Sequence, residues 1–307
     1  MSDYRTPRRL VPGDRVAVVA PAGPVEPDRL AVGLTLLREW SLTVDVLPGV
    51  SGVHDRLSYL AADDETRAKD FRTAWLDPSY AAVFCARGGY GVQRMLPHLD
   101  AAELVAADPK VFVGFSDITA LHEVFNAAGI VTVHGPMVAA VGQLETADSR
   151  DRLWQLLFEP ETVTDLLASA GATTMVGGRA SGPLRGGNVA LLADSIGTPT
   201  YDVPHGAVVV LEDISEDAYR LDRLLTQLLR AGWFDRVAGI VLGDFSESDD
   251  PAMVDFLLSD RLAPLGVPTV RGAAIGHEPV NLSVPLGAPV TLDADAGTLT
   301  PDAPPLS

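Results

Sequence analysis

The chain is predicted to be an α/β protein in two parts: a parallel sheet flanked by helices, then a mixed and less regular half. Three observations carry this. Short apolar runs alternate with helix-length amphipathic stretches over residues 15–136. The runs end at Pro, Gly or polar turns, and in parallel sheets ligands gather at such strand ends. The rhythm fails over residues 145–187, rich in Thr, Ala and Gly, and then resumes in a different order.

Each element has its own signal. Residues 15–20 form a buried strand stopped by Pro21, and 27–40 follow with helical spacing. A short strand at 43–47, a polar loop at 50–62 and a charged amphipathic helix at 63–76 come next. The strand at 80–86 breaks at Arg87-Gly-Gly-Tyr-Gly91, before a helix at 92–99. The strand at 110–115 runs into Ser116, then a helix at 117–129 and a strand at 130–136. A helix at 149–158 precedes the Gly/Thr-rich stretch. Beyond Arg185-Gly-Gly-Asn188 the pattern predicts helices at 189–196, 218–231 and 253–262, with strands at 207–214, 237–245 and 269–277. The last residues, 284–300, alternate like a hairpin. The expected division is 1–165 as the N-terminal α/β domain, 166–183 as a linker and 184–307 as the C-terminal domain.

Composition narrows the partners. The net charge is −18 and is spread along the chain, so nucleic acid and anionic membranes are poor partners. Cys85 is the only cysteine and lies in an apolar run, which excludes an internal disulfide and predicts a buried thiol. The N-terminus lacks a basic start before a long apolar stretch, and a cytoplasmic protein is expected.

Ser116 ends the run Lys110-Val-Phe-Val-Gly-Phe-Ser116 and opens a helix. A serine at that turn exposes its hydroxyl beside free N–H groups, the geometry of a nucleophile elbow. Ile118 stands where the second glycine of G-x-S-x-G would be, and helix capping is an equally simple role. A serine nucleophile needs a histidine base and an orienting carboxylate. His122 lies about 9 Å along the same helix on another face. His134 and His277, each ending an apolar run, remain open as bases. The acids are Glu212 and Asp213 at the end of one buried run and Asp244 at the end of another. A metal on the cluster Glu212-Asp-Ile-Ser-Glu216-Asp217 is disfavoured, since no second acidic cluster or histidine pair accompanies it. The glycines of 87–91 fit a turn that brings backbone N–H groups close to a substrate oxygen.

Together these segments resemble the LD-carboxypeptidases, serine peptidases that include muramoyl-tetrapeptide carboxypeptidases and microcin C immunity peptidases. The resemblance runs through Val18-Val-Ala-Pro-Ala-Gly23, Arg87-Gly-Gly-Tyr-Gly91, Gly114-Phe-Ser-Asp-Ile-Thr119 and His134-Gly-Pro-Met137. It continues through Gly186-Gly-Asn188, Leu211-Glu-Asp-Ile-Ser-Glu216, Tyr219-Arg-Leu-Asp-Arg223, Gly276-His277 and Pro285-Leu-Gly287. It implies a flavodoxin-like N-terminal domain, a smaller mixed C-terminal domain and an active site in the cleft between them. It implies Ser116 as nucleophile, His277 as base and Glu212 as the carboxylate orienting it. The N–H groups of Asp117 and Gly89 would form the oxyanion hole, with Arg87 and Asn188 as substrate contacts. No metal or cofactor is implied, and family members are commonly homodimers. The implied reaction releases D-alanine from a murein tetrapeptide. Immunity-type members cleave peptidyl or aminoacyl nucleotides instead and typically carry an aromatic residue ahead of Gly-Gly-Asn. Residues 171–183 hold none, which favours the murein peptide. An inactive peptide-binding protein on the same fold is the third expectation.

Overall fold

The computed structural model describes residues 4–168, 171–248 and 250–307, and part of the stretch read as a linker (169–170) lies outside the described residues. The first sheet is built from β1 (Arg15–Val19), β2 (Thr43–Val46), β3 (Ala82–Cys85), β4 (Val111–Gly114) and β5 (Thr132–His134). They pair in parallel in the order β2-β1-β3-β4-β5, the flavodoxin-like order. Strand alternation sends side chains to two cores: Val16 and Val18 of β1 enter one, Ala17 and Val19 the other. Helices therefore cover both faces. The helices of this half are α1 (Pro27–Glu39), α2 (Asp64–Leu76), α3 (Val92–Met95), α4 (Ala101–Ala106), α5 (Thr119–Ala127), α6 (Val141–Leu144) and α7 (Ala147–Phe158). Leu30 and Leu37 of α1 join Leu153 and Leu156 of α7 on one face. Phe71 and Trp75 of α2 meet Phe125 of α5 on the other.

The second half contains β6 (Thr173–Val176), β7 (Arg179–Asn188), α8 (Val189–Asp194), β8 (Val208–Ile214), α9 (Ala218–Arg230), β9 (Gly239–Ser246), α10 (Pro251–Leu262), β10 (Thr269–Arg271), β11 (Val284–Leu286), β12 (Pro289–Asp293) and β13 (Thr298–Pro301). Its sheet has the order β13-β12-β7-β8-β9-β10-β6, parallel from β7 to β10 and antiparallel at both margins. One face carries α8, α9 and α10 over Val209, Leu211, Ile240 and Leu242. The other face, with Val208, Val210 and Val241, belongs to the same apolar cluster as Val16, Val18 and Phe84 of the first sheet. The two halves thus share a core, which sets the strand ends β4 and β8 across one cleft.

The architecture departs from the expected division in two places. Residues 173–176 and 179–183, read as part of a linker, are strands of the second sheet. β11, expected within the C-terminal domain, pairs antiparallel with β5 at the edge of the first sheet. Pro285 suits that edge, because proline has no N–H to give to a further strand.

Candidate active site

The turn after β4 is strained at one residue. Phe115 is extended, and Ser116 then adopts φ 64°, a left-handed conformation that costs a non-glycine residue about 1–3 kcal/mol. Gly114 is required here, since a Cβ on it would come within 2.9 Å of the Ile118 side chain. Ser116 does not cap the helix: no side-chain capping bond forms at this turn. Its Oγ has no hydrogen-bond partner among the described residues, and the side chain is half-buried.

Backbone closes over this hydroxyl. A Cβ on Gly88 would lie 3.0 Å from Ser116 Cβ and 3.2 Å from Oγ, so the 87–91 loop passes directly beside the serine. Gly89 and Gly91 hold φ of 109° and 137°, which glycine adopts without strain. The loop is pinned from below. Asp117 Oδ2 accepts the Val92 N–H at 2.8 Å, and the buried Arg67 donates to Gly91 O at 2.8 Å. Burial pushes the Asp117 carboxyl up to about 6 against the pull of the Val92 N–H and Arg67. Arg87 is exposed and donates to Pro24 O at 2.8 Å, with no carboxylate partner among the described residues.

The candidate carboxylate and histidine come from the other half. Glu212, fully buried on β8, accepts from His277 Nδ1 at 2.7 Å. A carboxylate only accepts, so Nδ1 carries the proton and Nε2 keeps the lone pair. Gly276, at φ 140°, permits this approach, because a Cβ there would sit 3.1 Å from Glu212 Oε2. Burial works against protonation of His277, but Glu212, with Asp213 and Asp244 beyond it, outweighs burial and holds the imidazole above its ordinary pKa. The ring packs on Phe115, the neighbour of Ser116, at 4.8 Å between centroids. Phe115, His277, Gln143, Arg29, Ser246 and Glu247 help line a cleft of about 450 Å³. Another hollow of about 300 Å³ contains His54, but that ring accepts the N–H groups of Arg56 and Leu57 and only shapes a turn.

The competing candidates lie close by or on neighbouring elements but are engaged differently. His134 is fully buried with both ring nitrogens unpartnered among the described residues, and burial holds its pKa well below the ordinary value. His122 is bonded to Gly114 O and Thr132 Oγ1. Asp213 faces away from His277 and accepts from Asn188 Nδ2, Ala190 N–H and Ile214 N–H. Burial first, then the adjacent Glu212, raises it to about 7. Asp244 bonds no imidazole among the described residues, and burial with Glu278 raises it to about 7. Asn188, expected to contact substrate, also holds structure: it caps α8 through Leu191 N–H, and its own N–H reaches Thr119 Oγ1 in the opposite half. Among the described residues no group of three or more His, Cys, Asp or Glu is placed to hold a metal ion. Cys85 is buried and its thiol pKa is raised by burial.

Pattern reading missed the polar contacts between the halves. Arg185 of β7 is buried against Glu123 of α5 at 3.3 Å. Gln143 of α6 donates to the carbonyls of Gly276 and Glu278 on either side of His277. Neither gave a signal, because each contact joins residues far apart in sequence.

A flavodoxin-like half and a mixed half face each other across this cleft, which presents a paired histidine and carboxylate from the second half. The chain belongs to the LD-carboxypeptidase family: residues 16–135 match its N-terminal domain and residues 181–292 its C-terminal domain. A Streptomyces coelicolor protein named only provisionally as a carboxypeptidase is 50% identical over 100% of this chain and 99% of its own length. The murein tetrapeptide carboxypeptidase of Pseudomonas aeruginosa is 34% identical over 92% of this chain and 94% of its own. Among solved structures, the muramoyltetrapeptide carboxypeptidase of Oxalobacter formigenes is 29% identical with a TM-score of 0.78, over 94% of this chain and 99% of that one. The microcin C7 self immunity protein in complex with aspartyl sulfamoyl adenosine has a TM-score of 0.83 over 98% of this chain and 99% of that one, at 20% identity, and shows the common fold. No helix among the described residues is long and apolar enough to cross a membrane.

Proposed function

We propose that this protein is a cytoplasmic serine LD-carboxypeptidase that removes the terminal D-alanine of murein tetrapeptides. The observation that carries the proposal is the 2.7 Å His277–Glu212 pair presented across a cleft from a left-handed serine. In this reading Ser116 Oγ attacks the scissile carbonyl carbon while His277 Nε2 takes its proton. The carbonyl oxygen becomes an oxyanion, stabilised by the N–H groups of Asp117 and Gly89; one such donor is worth about 3 kcal/mol in the transition state. The C–N bond then breaks, His277 returns the proton to the amine of D-alanine, and an acyl-Ser116 ester remains. Water, deprotonated by His277, hydrolyses that ester and restores the serine. Glu212 holds Nδ1–H and balances the imidazolium formed in each half. Arg87, a cation without a carboxylate partner among the described residues, would receive the substrate's terminal carboxylate.

A nucleotide-conjugate substrate is the second reading. One observation favours it: Tyr59 and Tyr90 are both exposed, with rings 6.0 Å apart, beside the 87–91 loop. That pair offers a stacking surface, while residues 171–183 contain no aromatic residue. Purified protein is tested by mass spectrometry with L-Ala-γ-D-Glu-meso-diaminopimelate-D-Ala and, separately, aspartyl sulfamoyl adenosine. Release of D-alanine supports the proposal. Cleavage of the nucleotide conjugate alone transfers the assignment to the second reading. Tight binding without turnover of either makes the protein a binding module. The reading includes a homodimer, for which light scattering should give about twice the chain mass of 32.4 kDa.

A further inference from the structure

The segment carrying His277 has no regular support of its own. β10 ends at Arg271 and β11 begins at Val284. From Gly276 to Asn281 no backbone–backbone hydrogen bond forms among the described residues. The loop is held instead by side chains: Gln143 and Ser149 from the half that carries Ser116, Asn281 of the loop itself, and Asp244 on β9, whose carboxylate accepts the Glu278 N–H. Gln143 Nε2 donates to Gly276 O at 2.9 Å and to Glu278 O at 3.0 Å, the carbonyls flanking His277. Gln143 Oε1 accepts from Asn281 Nδ2 at 3.2 Å, and Asn281 Oδ1 accepts the Gly276 N–H at 3.1 Å. Ser149 Oγ on α7 accepts the Asn281 N–H at 2.9 Å and donates to Pro279 O at 3.3 Å. All three side chains are buried.

We propose that Gln143, seconded by Asn281 and Ser149, is a positioning residue that clamps the His277 loop to the half of the molecule carrying Ser116. The inference rests on the base role proposed for His277. That role asks one imidazole to satisfy two masters: Glu212 in its own half and Ser116 in the other. The Glu212 bond fixes Nδ1 and Asp244 meets the Glu278 N–H, but both refer the loop backbone only to its own half. The two bonds from Gln143 fix that backbone on both sides of the histidine and refer it to the serine's half. A general function as interdomain glue is already served by the buried Arg185–Glu123 pair, the Asn188–Thr119 contact and the β5–β11 pairing.

The test has two readouts on the full chain. The first is the NMR titration of the His277 imidazole, which needs no substrate. The groups acting on that ring are Glu212 and Asp213 on β8 and Asp244 on β9, with His134 on β5 coupled to it and Glu278 beside it in the chain. Arg29 and Glu247 line the cleft beside it. In the unaltered protein the expected midpoint of His277 is raised from the ordinary imidazole value by Glu212. In Gln143→Ala the midpoint moves down towards 6.5 as the Glu212 contact loosens, whereas Thr119→Val, which removes another contact between the halves, leaves it in place. The second readout is D-alanine release, where Gln143→Ala lowers kcat on the order of 100-fold, the scale of a 1 Å misplacement, with KM within a few-fold. Gln143→Glu, which keeps the acceptor for Asn281 but loses the donor to both carbonyls, follows Gln143→Ala. If Gln143→Ala does not fold, the volume-matched Gln143→Met is read in its place. An unmoved His277 midpoint in the folded variant overturns the clamp, and so does a kcat loss equalled by Thr119→Val. A protein that never cleaves the tetrapeptide refutes the proposed function, while the His277 titration still decides on the clamp.

Discussion

Asp117→Asn should make this protein more stable as the pH rises. The carboxyl is 1% exposed, and burial lifts it from 3.8 to about 6. Two pKa units at about 1.4 kcal/mol each mean that ionised Asp117 costs the fold about 3 kcal/mol at pH 8. The sign follows from proton binding. The folded state holds this proton more tightly than the unfolded chain does. Asp117 is therefore harmless to folding below about pH 4, and its cost grows as pH climbs through 6. Asparagine keeps an oxygen for the Val92 N–H bond of 2.8 Å. Its NH2 falls where Oδ1 has no partner, a constant loss of about 1 kcal/mol at every pH. The diagnostic quantity is therefore the change with pH: the variant's advantage over wild type should grow by about 1.4 kcal/mol between pH 5 and pH 8. Urea unfolding followed by tryptophan fluorescence at both pH values measures it. An advantage that is equal at the two pH values, or larger at pH 5, refutes the claim that an ionised carboxylate is buried under the serine.

Glu212→Gln should leave the fold intact but lower kcat on the order of 10³–10⁴-fold, the scale of losing the carboxylate that sets the imidazole tautomer. In the unaltered protein the acid limb of kcat/KM should lie above pH 6.5, because Glu212 raises His277 and activity falls as that base is protonated. A limb at or below 6.5 speaks against the pairing. Gly88→Ala puts a Cβ 3.2 Å from Ser116 Oγ, and the few tenths of an ångström needed to relieve it should cost kcat about ten-fold with little loss of thermal stability; unchanged kinetics would mean that the loop does not bear on the nucleophile. Arg185→Leu leaves Glu123 buried without its partner and should destabilise the protein by about 3–5 kcal/mol at neutral pH, measured by chemical unfolding.

Local pattern made the first sheet legible because strand and helix periods are properties of neighbouring residues. The Ser116 turn was legible for the same reason, although its second glycine is absent. In the structure Ile118 fills that place, and the glycine two residues before the serine makes room for it. Capping was a reasonable alternative for Ser116 and turned out to be the occupation of Asn188, since both side chains stand just before a helix and only φ separates them. Residues 173–176 looked like linker because an exposed edge strand of Thr and Met shows no apolar alternation. β11 lay within the stretch read as a hairpin over 284–300, but its pairing with β5 was not legible, because the partner lies 150 residues earlier (Val284 against His134). The choice of Glu212 over Asp213 needed strand orientation: neighbours on β8 point to opposite faces, and only one of those faces meets His277.

The central claim is that Ser116 becomes covalently acylated. Rapid acid quenching of the full chain with murein tetrapeptide, followed by peptide mapping in the mass spectrometer, tests it directly. The account predicts a tripeptidyl mass gain on the peptide containing Ser116 in the wild type, accumulating in Glu212→Gln if hydrolysis of the ester is slowed more than its formation, and no adduct and no D-alanine release in Ser116→Ala. Turnover by Ser116→Ala, or an adduct on a different residue, would contradict it.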